Sequence, residues 1–388
     1  MLEVIVLIFF LMRKFGPDFS RASYAGLNDY LVNQENKRGR LAWTAILSAA
    51  LVGAAIFYAR LDTQCAFLGQ YYVALAKDPF AFDQNNPVSY RLLTPLLSWL
   101  VGFRGRGGLI LTNLLLSGVL VGCVYSRYRK ISQQAGDAFL AAVIVTFSLV
   151  VLTSLYCGGY CDIMSYLLIF LMWRYRENRP AFYGLFLLGL LNRESVAFLV
   201  PWFTFLTMDL PGSRKAKILD TVIGFGVTFG AYYLFRVWVD SHQTVTFSTE
   251  RYLGGFLKEP LNMLRWTLDW QPIGLFSVFK ALWVIPCLAA VSWIQRREYR
   301  QLVGVALLFV GAYAQLFMAW DTSRMFTLSF MVMFVSLDHL LKADRFRLRT
   351  WVFWAVLFNL LIPQLYTAGN KIEVWHSLST WALLQLWQ

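Results

Sequence analysis

Charged residues are sparse in this chain, and those that lie between its apolar runs form a pattern. The segment from Asp62 to Arg106 carries Asp62, Asp78 and Asp83 together with Lys77, Arg91, Arg104 and Arg106. Further on, YCGGYCD supplies Asp162, LLNRESVAF supplies Arg193 and Glu194, and WDTSRMF supplies Asp321 and Arg324. A carboxylate can act as general base toward a hydroxyl, and guanidinium groups grip phosphate oxygens through paired N–H donors. Four loops bearing both types suit a site that activates a hydroxyl while holding a phosphate leaving group. Charges at membrane depth are costly, so each is a functional candidate.

Each residue also has a plainer reading. Asp62 closes an apolar run and is open to being a helix-end residue. Asp78 precedes Pro79, where a helix must stop, so a turn role competes with catalysis. Asp83 in FDQNNP shares that ambiguity. Asp162 is placed to cap a helix, to orient an acceptor or to bind a divalent cation such as Mg or Mn. Arg193 and Glu194 are adjacent and open to pairing with each other, but the flanking runs Ala181–Leu191 and Val196–Met208 are short. That would set them below the surface, where a buried charge needs a partner. Asp321 and Arg324 share a helix face at a spacing of three, and Arg324 is also a phosphate candidate. In FRGRGG, the glycines beside Arg104 would let backbone N–H groups reach an anion; contact with lipid phosphates is the simpler alternative. Tyr71 and Tyr90 complete the set of substrate-binding candidates. Gly224, Gly226 and Gly230 read as close helix packing.

The elements that must position these residues are membrane helices. Of 388 residues, 58% are hydrophobic and 15% charged, against about 25% charged in a soluble domain. The net charge of +13 needs no nucleic acid, because cytoplasmic loops of membrane proteins collect Lys and Arg. Five scattered cysteines, with no His near Cys157 and Cys161, are expected to be unpaired thiols rather than a zinc site. MLEVIVLIFFLMRK lacks the basic leader and cleavage site of a signal peptide and is too short to span.

Apolar runs at Leu41–Tyr58, Leu109–Tyr125, Ala138–Tyr156, Ile163–Trp173, Ala181–Leu191 and Val196–Met208 continue with Ile218–Val239, Ile273–Ile294, Leu302–Trp320, Met325–Leu341 and Trp351–Thr367. They predict an all-α bundle of about eleven passes, several of them short. Phe67–Ala76 and Leu92–Phe103 are too short to cross and are expected as amphipathic or re-entrant helices of a first outer loop, 61–108. With Leu92–Phe103 kept outside, the basic clusters around Lys37, Arg127, Arg174, Arg214, Arg296 and Arg345 all fall on one side. The domain reading is a cytoplasmic segment 1–40, a transmembrane domain 41–368 and an outer tail 369–388. A second long outer loop covers 240–272, with Pro260–Trp270 as an interfacial helix.

GQYYVALAKDP, YRLLTPLLSWL, YCDIMSYLL and LLNRES, in that order over roughly the first 210 residues, resemble bacterial multi-pass membrane proteins of the GT-C glycosyltransferase superfamily. The resemblance implies a polyprenyl-phosphate sugar donor, transfer on the extracytoplasmic side of the inner membrane, and a catalytic carboxylate in the first outer loop. Where the family carries an acid before the Gly-Gln-aromatic motif, this chain has Leu68, so Asp62 is the base candidate. Arg91, Arg193 and Arg324 would hold phosphate, with Glu194 orienting one of them. The partners implied are the lipid-linked sugar, membrane lipids and an acceptor of unspecified class, with no nucleic acid. A transporter or flippase, and a non-catalytic subunit of an envelope-assembly complex, are the rival readings; no internal repeat supports the first.

Overall fold

The structure, a computed structural model, describes residues 17–59, 61–65, 68–82, 87–243, 261–317, 319, 321–342 and 346–375. The opening residues 2–12 and Asp83 lie outside them. A polar helix α1 (Pro17–Arg38) turns at Gly39, with φ of +79°, into the apolar α2 (Arg40–Ala59). The two undersized helices expected next are present as α3 (Gly69–Lys77) and α4 (Leu93–Leu100). Asp78, ahead of Pro79, is extended and ends α3, as the steric demand of proline on its predecessor requires.

The long α5 (Gly105–Ser132) is followed by α6 (Ala135–Thr146) and α7 (Leu149–Tyr156), which meet at a bend of 42°. Then come α8 (Asp162–Arg174), α9 (Arg179–Asn192), α10 (Val200–Met208) and α11 (Arg214–His242). A short α12 (Asn262–Thr267), covering part of the expected interfacial helix, leads into α13 (Gln271–Phe279) and α14 (Val284–Gln295). The series closes with α15 (Tyr299–Ala314), α16 (Thr322–Phe326), α17 (Met331–Lys342) and α18 (Phe346–Leu361). A hairpin the apolar pattern did not predict follows: β1 (Gln364–Ala368) pairs antiparallel with β2 (Lys371–Trp375), Ala368 facing Lys371. Gly369 in its turn has φ of +62°, a conformation glycine adopts without strain.

Among the described residues the protein is all-α apart from that hairpin, and it has the helices of a membrane protein. Six stretches among the described residues are long and apolar enough to cross, and the bent pair α6–α7 makes a seventh. Four of the eleven expected passes form shorter helices, of 13, 14 and 16 residues and, over Glu194–Met208, a 3-10 stretch of 6 residues running into an α-helix of 9. At 1.5 to 2.0 Å per residue these rise about 20 to 26 Å, against roughly 30 Å of hydrocarbon.

Hydrogen bonds assign the loops to two ends. At one end, Arg129 bonds Glu35 and Arg127 bonds Asp338 while lying 3.8 Å from the Trp173 ring. Arg179 and Arg300 reach Thr207 and Asp209, Lys217 reaches Met208, and His339 sits beside Glu298. The basic loops therefore meet one another. The opposite end gathers Asp62, the YCGGYC turn, Arg193, Arg324 and the hairpin, as detailed below.

The peripheral helix is α11, with 22% of its apolar window buried against 83% for Thr322–Lys342. Its glycines divide accordingly. A Cβ added at Gly224 would fall 2.2 Å from the Tyr183 ring, whereas Gly226 and Gly230 have nothing within 4 Å. The close packing expected of all three holds for Gly224. Gly224→Ala should lower stability by about 1–3 kcal/mol through overpacking. Gly226→Ala, which gains helix propensity without a clash, should raise it by roughly 0.5–1 kcal/mol. Thermal unfolding of the two variants in detergent checks the contrast, and equal shifts would refute it.

Candidate functional site

The first loop is docked onto the YCGGYC turn by backbone contact. Asp62 N–H donates to Leu155 O at 2.8 Å, and a Cβ on Gly158 would lie 2.0 Å from Asp62 O. Gly159 is pressed against Gly69 and Cys65 in the same way, at 2.6 and 2.9 Å from an added Cβ. Only a side chain limited to hydrogen allows approaches this close. Asn113 secures the turn from α5, donating to Tyr160 O at 2.9 Å. The Asp62 carboxylate is half-buried; it accepts from Gln64 N–H at 2.8 Å and has no ion pair among the described residues. Burial pushes the Cys157 thiol up to about 12; among the charges acting on it, Arg324 opposes the rise while Asp321, Asp62 and Glu373 add to it.

Behind that turn lies a buried ion-pair chain. Asp162, 1% exposed at the start of α8, accepts from Arg193 Nη1 and from Arg324 Nε at 2.7 Å. The Arg324 guanidinium also lies 4.1 Å from the centre of the Tyr160 ring and 3.7 Å from Asp321. Asp321 caps α16 by accepting from Arg324 N–H, and it accepts a second bond from Tyr366 of the hairpin. Trp375 is stacked between Tyr366 and Tyr156, with centroids at 4.6 and 3.8 Å, which fastens the hairpin to α7. Two carboxylates and two guanidiniums close this chain with no formal charge left over, the condition for keeping them out of water.

Arg91 and Glu194 form a second pair at the same end. Arg91 Nε donates to Glu194 at 2.8 Å and Nη1 to Tyr72 at 3.2 Å. Their side chains are 15% and 27% exposed, so this pair keeps the access that Asp162 lacks. Adjacent polar residues tie the helices that carry it: Thr94 donates to Asn192, which donates to Cys161 O and Ser165.

The remaining sequence candidates separate. Asp78 forms a turn, accepting from Phe80 N–H at 3.2 Å, and is exposed. Arg104 is exposed and lies 5.3 Å from the Trp99 ring. Tyr71 is 37% exposed, whereas its neighbour Tyr72 is buried against Arg91. Tyr90 is buried in another contact, donating to Asp240 with Arg236 4.2 Å from its ring. The Arg193–Glu194 pair envisaged at a hairpin tip is replaced by two pairs, Arg193 reaching Asp162 at the start of α8 and Glu194 reaching Arg91 in the segment before α4. Among the described residues no three His, Cys, Asp or Glu side chains converge as a metal-ligand set, and all five cysteines are free.

Three contributors were passed over in the sequence. Tyr232 and Arg236 sit inside an apolar run, and the succession Tyr232, Arg236, Asp240 at intervals of four was the available signal. Lys280 is 2% exposed and donates to Ile362 O at 3.0 Å and to Tyr58 at 3.3 Å. The carbonyl follows the last turn of α18, where a cation is favoured by the helix dipole. Comparison with protein-family models, curated proteins and solved structures finds no match to this chain.

Replacing Asp162 by Asn strands two buried guanidiniums. Asp162→Asn should cost about 3–5 kcal/mol, the range for breaking a buried pair on one side. Asp62→Asn should leave the unfolding temperature within the spread of the wild type. Unfolding of both variants in one detergent tests this, and a wild-type-like Asp162→Asn would refute the network's structural weight.

Proposed function

We propose that the chain is a membrane glycosyltransferase-like enzyme, transferring a sugar from a polyprenyl-phosphate carrier to an acceptor hydroxyl at the Asp62 end of the bundle. The observation that supports it is a division among the charges. Asp162, Arg193, Arg324 and Asp321 are buried and mutually neutralised, while Asp62, Arg91 and Glu194 beside them keep access. In this reading the buried set is a rigid base and the accessible set performs the reaction.

Asp62 takes the proton from the acceptor hydroxyl as its oxygen bonds to the anomeric carbon. The bond from that carbon to the phosphate oxygen breaks, and the polyprenyl phosphate leaves with the electron pair. Arg91, whose second terminal nitrogen is not used by Glu194 or Tyr72, faces the charge that develops there. Glu194 holds Arg91 in place. The basic end of the bundle faces the cytoplasm by the Lys/Arg bias, which turns the Asp62 end to the periplasmic side of a bacterial inner membrane. The four short helices complete an eleven-pass topology where the bilayer thins around the site.

Lys280 favours a second reading, a lipid transporter, because a cation within the candidate span Leu264–Gln295 is the feature such proteins use. Product analysis separates the two: a transporter leaves the sugar on its carrier. Asp62→Asn should reduce transfer of labelled sugar from the lipid to an acceptor by about 10²–10⁴, the usual weight of a general base. Transfer at the wild-type rate by folded Asp62→Asn would remove Asp62 from the mechanism.

A further inference from the structure

Tyr232 on α11 is 8% exposed, and its hydroxyl has no hydrogen-bond partner among the described residues. Burying a hydroxyl unpaired costs free energy, and such atoms are scarce in folded proteins. Glu194, then Arg236 and Arg91, are the charged groups that act on it, and through Arg236 and Tyr90 its helix reaches the residue that precedes Arg91. One turn further along α11, Arg236 lies 4.2 Å from the Tyr90 ring, and Tyr90 donates to Asp240. Ser195, next to Glu194, carries another buried hydroxyl oxygen without a partner among the described residues.

The chemistry of this cluster selects among ligands. Two guanidiniums and two carboxylates leave no formal charge, so this cluster of side chains offers a second anion no net attraction. It does offer donors and acceptors in mixture: Arg91 and Arg236 donate, Glu194 and Asp240 accept, and Tyr232 does both. A ligand whose every polar group also donates and accepts matches that set, and the hydroxyls of a sugar ring are such groups. A second anion, beyond the phosphate at Arg91, would meet Glu194 and Asp240 as like charges.

We propose that Tyr232, with Glu194 and Arg236, forms the subsite that binds the hydroxyls of the transferred sugar, set beside the phosphate contact at Arg91. The assignment rests on the glycosyltransferase reading for the identity of the ligand and on the unpaired hydroxyl for its position. α11 is also the helix whose other face, Tyr233, Leu234 and Val237, is open and apolar. A carrier lipid lying along that face would bring its head to the level of Arg236.

The test measures binding without turnover. Wild type and Tyr232→Phe are titrated in detergent with farnesyl-phosphoryl glucose, farnesyl-phosphoryl mannose and farnesyl phosphate. Wild type should bind at least one sugar lipid about tenfold more tightly than farnesyl phosphate, the weight of one or two hydrogen bonds. Tyr232→Phe should erase that margin and leave farnesyl phosphate affinity unchanged. Its unfolding temperature should not fall, since no protein bond is removed. Equal affinity of the wild type for all three overturns the sugar subsite alone. A margin that survives in Tyr232→Phe, or a loss shared by farnesyl phosphate, overturns the role of Tyr232. Wild type that binds none of the three overturns the glycosyltransferase reading with it.

Discussion

The grip of Arg193 and Arg324 on Asp162 is the constraint on which this end of the molecule depends. Each of the three side chains comes from a different helical unit, and each would be prohibitively costly alone in an apolar interior. Together they fix the start of α8, the junction after α9 and the start of α16 relative to one another. Asp321 and Tyr366 extend the same chain of bonds to the hairpin, and Trp375 passes it on to Tyr156. Removing any link exposes the next one, so the network behaves as a unit rather than as separable pairs.

The glycine pair of YCGGYC serves the same end by steric means. Where Gly158 and Gly159 meet Asp62 and Gly69, backbone touches backbone, and the position of the first loop follows from that contact. The Asp62 carboxylate is therefore delivered by a docked main chain. It does not need an ion pair to hold it, which leaves its charge available.

Much of this was legible in the sequence because charge in an apolar chain is conspicuous. Asp162, Arg193, Glu194, Asp321, Arg324 and Arg91 stood out on that ground, and they lie at one end of the bundle. The pairing of Asp321 with Arg324 was legible from their spacing of three; the other pairings were not, because spacing favoured Arg193 with Glu194 while buried charges choose partners across helices. Tyr71 and Tyr72 are indistinguishable as letters, and only the facing of a nine-residue helix decides which meets Arg91. The hairpin was lost because its strands lie where an apolar run fades, and two strands of five residues leave little periodicity to read. The lengths of the short helices were not legible, because composition reports apolarity and says little about where a helix stops.

The separation along the chain of the partners of Asp162 has a bearing on biogenesis. Arg193 follows it by 31 residues and Arg324 by 162. During synthesis α8 and α9 emerge together, and a carboxylate and a guanidinium that meet at the same depth can enter the bilayer as a neutral hairpin. Each alone would carry an insertion penalty of about 2.5–3.5 kcal/mol at the bilayer centre. Arg193 thus acts as the early escort of Asp162, and Arg324 arrives much later to a site already electrically closed on one side. The order of the genes' codons, read through the ribosome, sets the order in which that charge is sheltered.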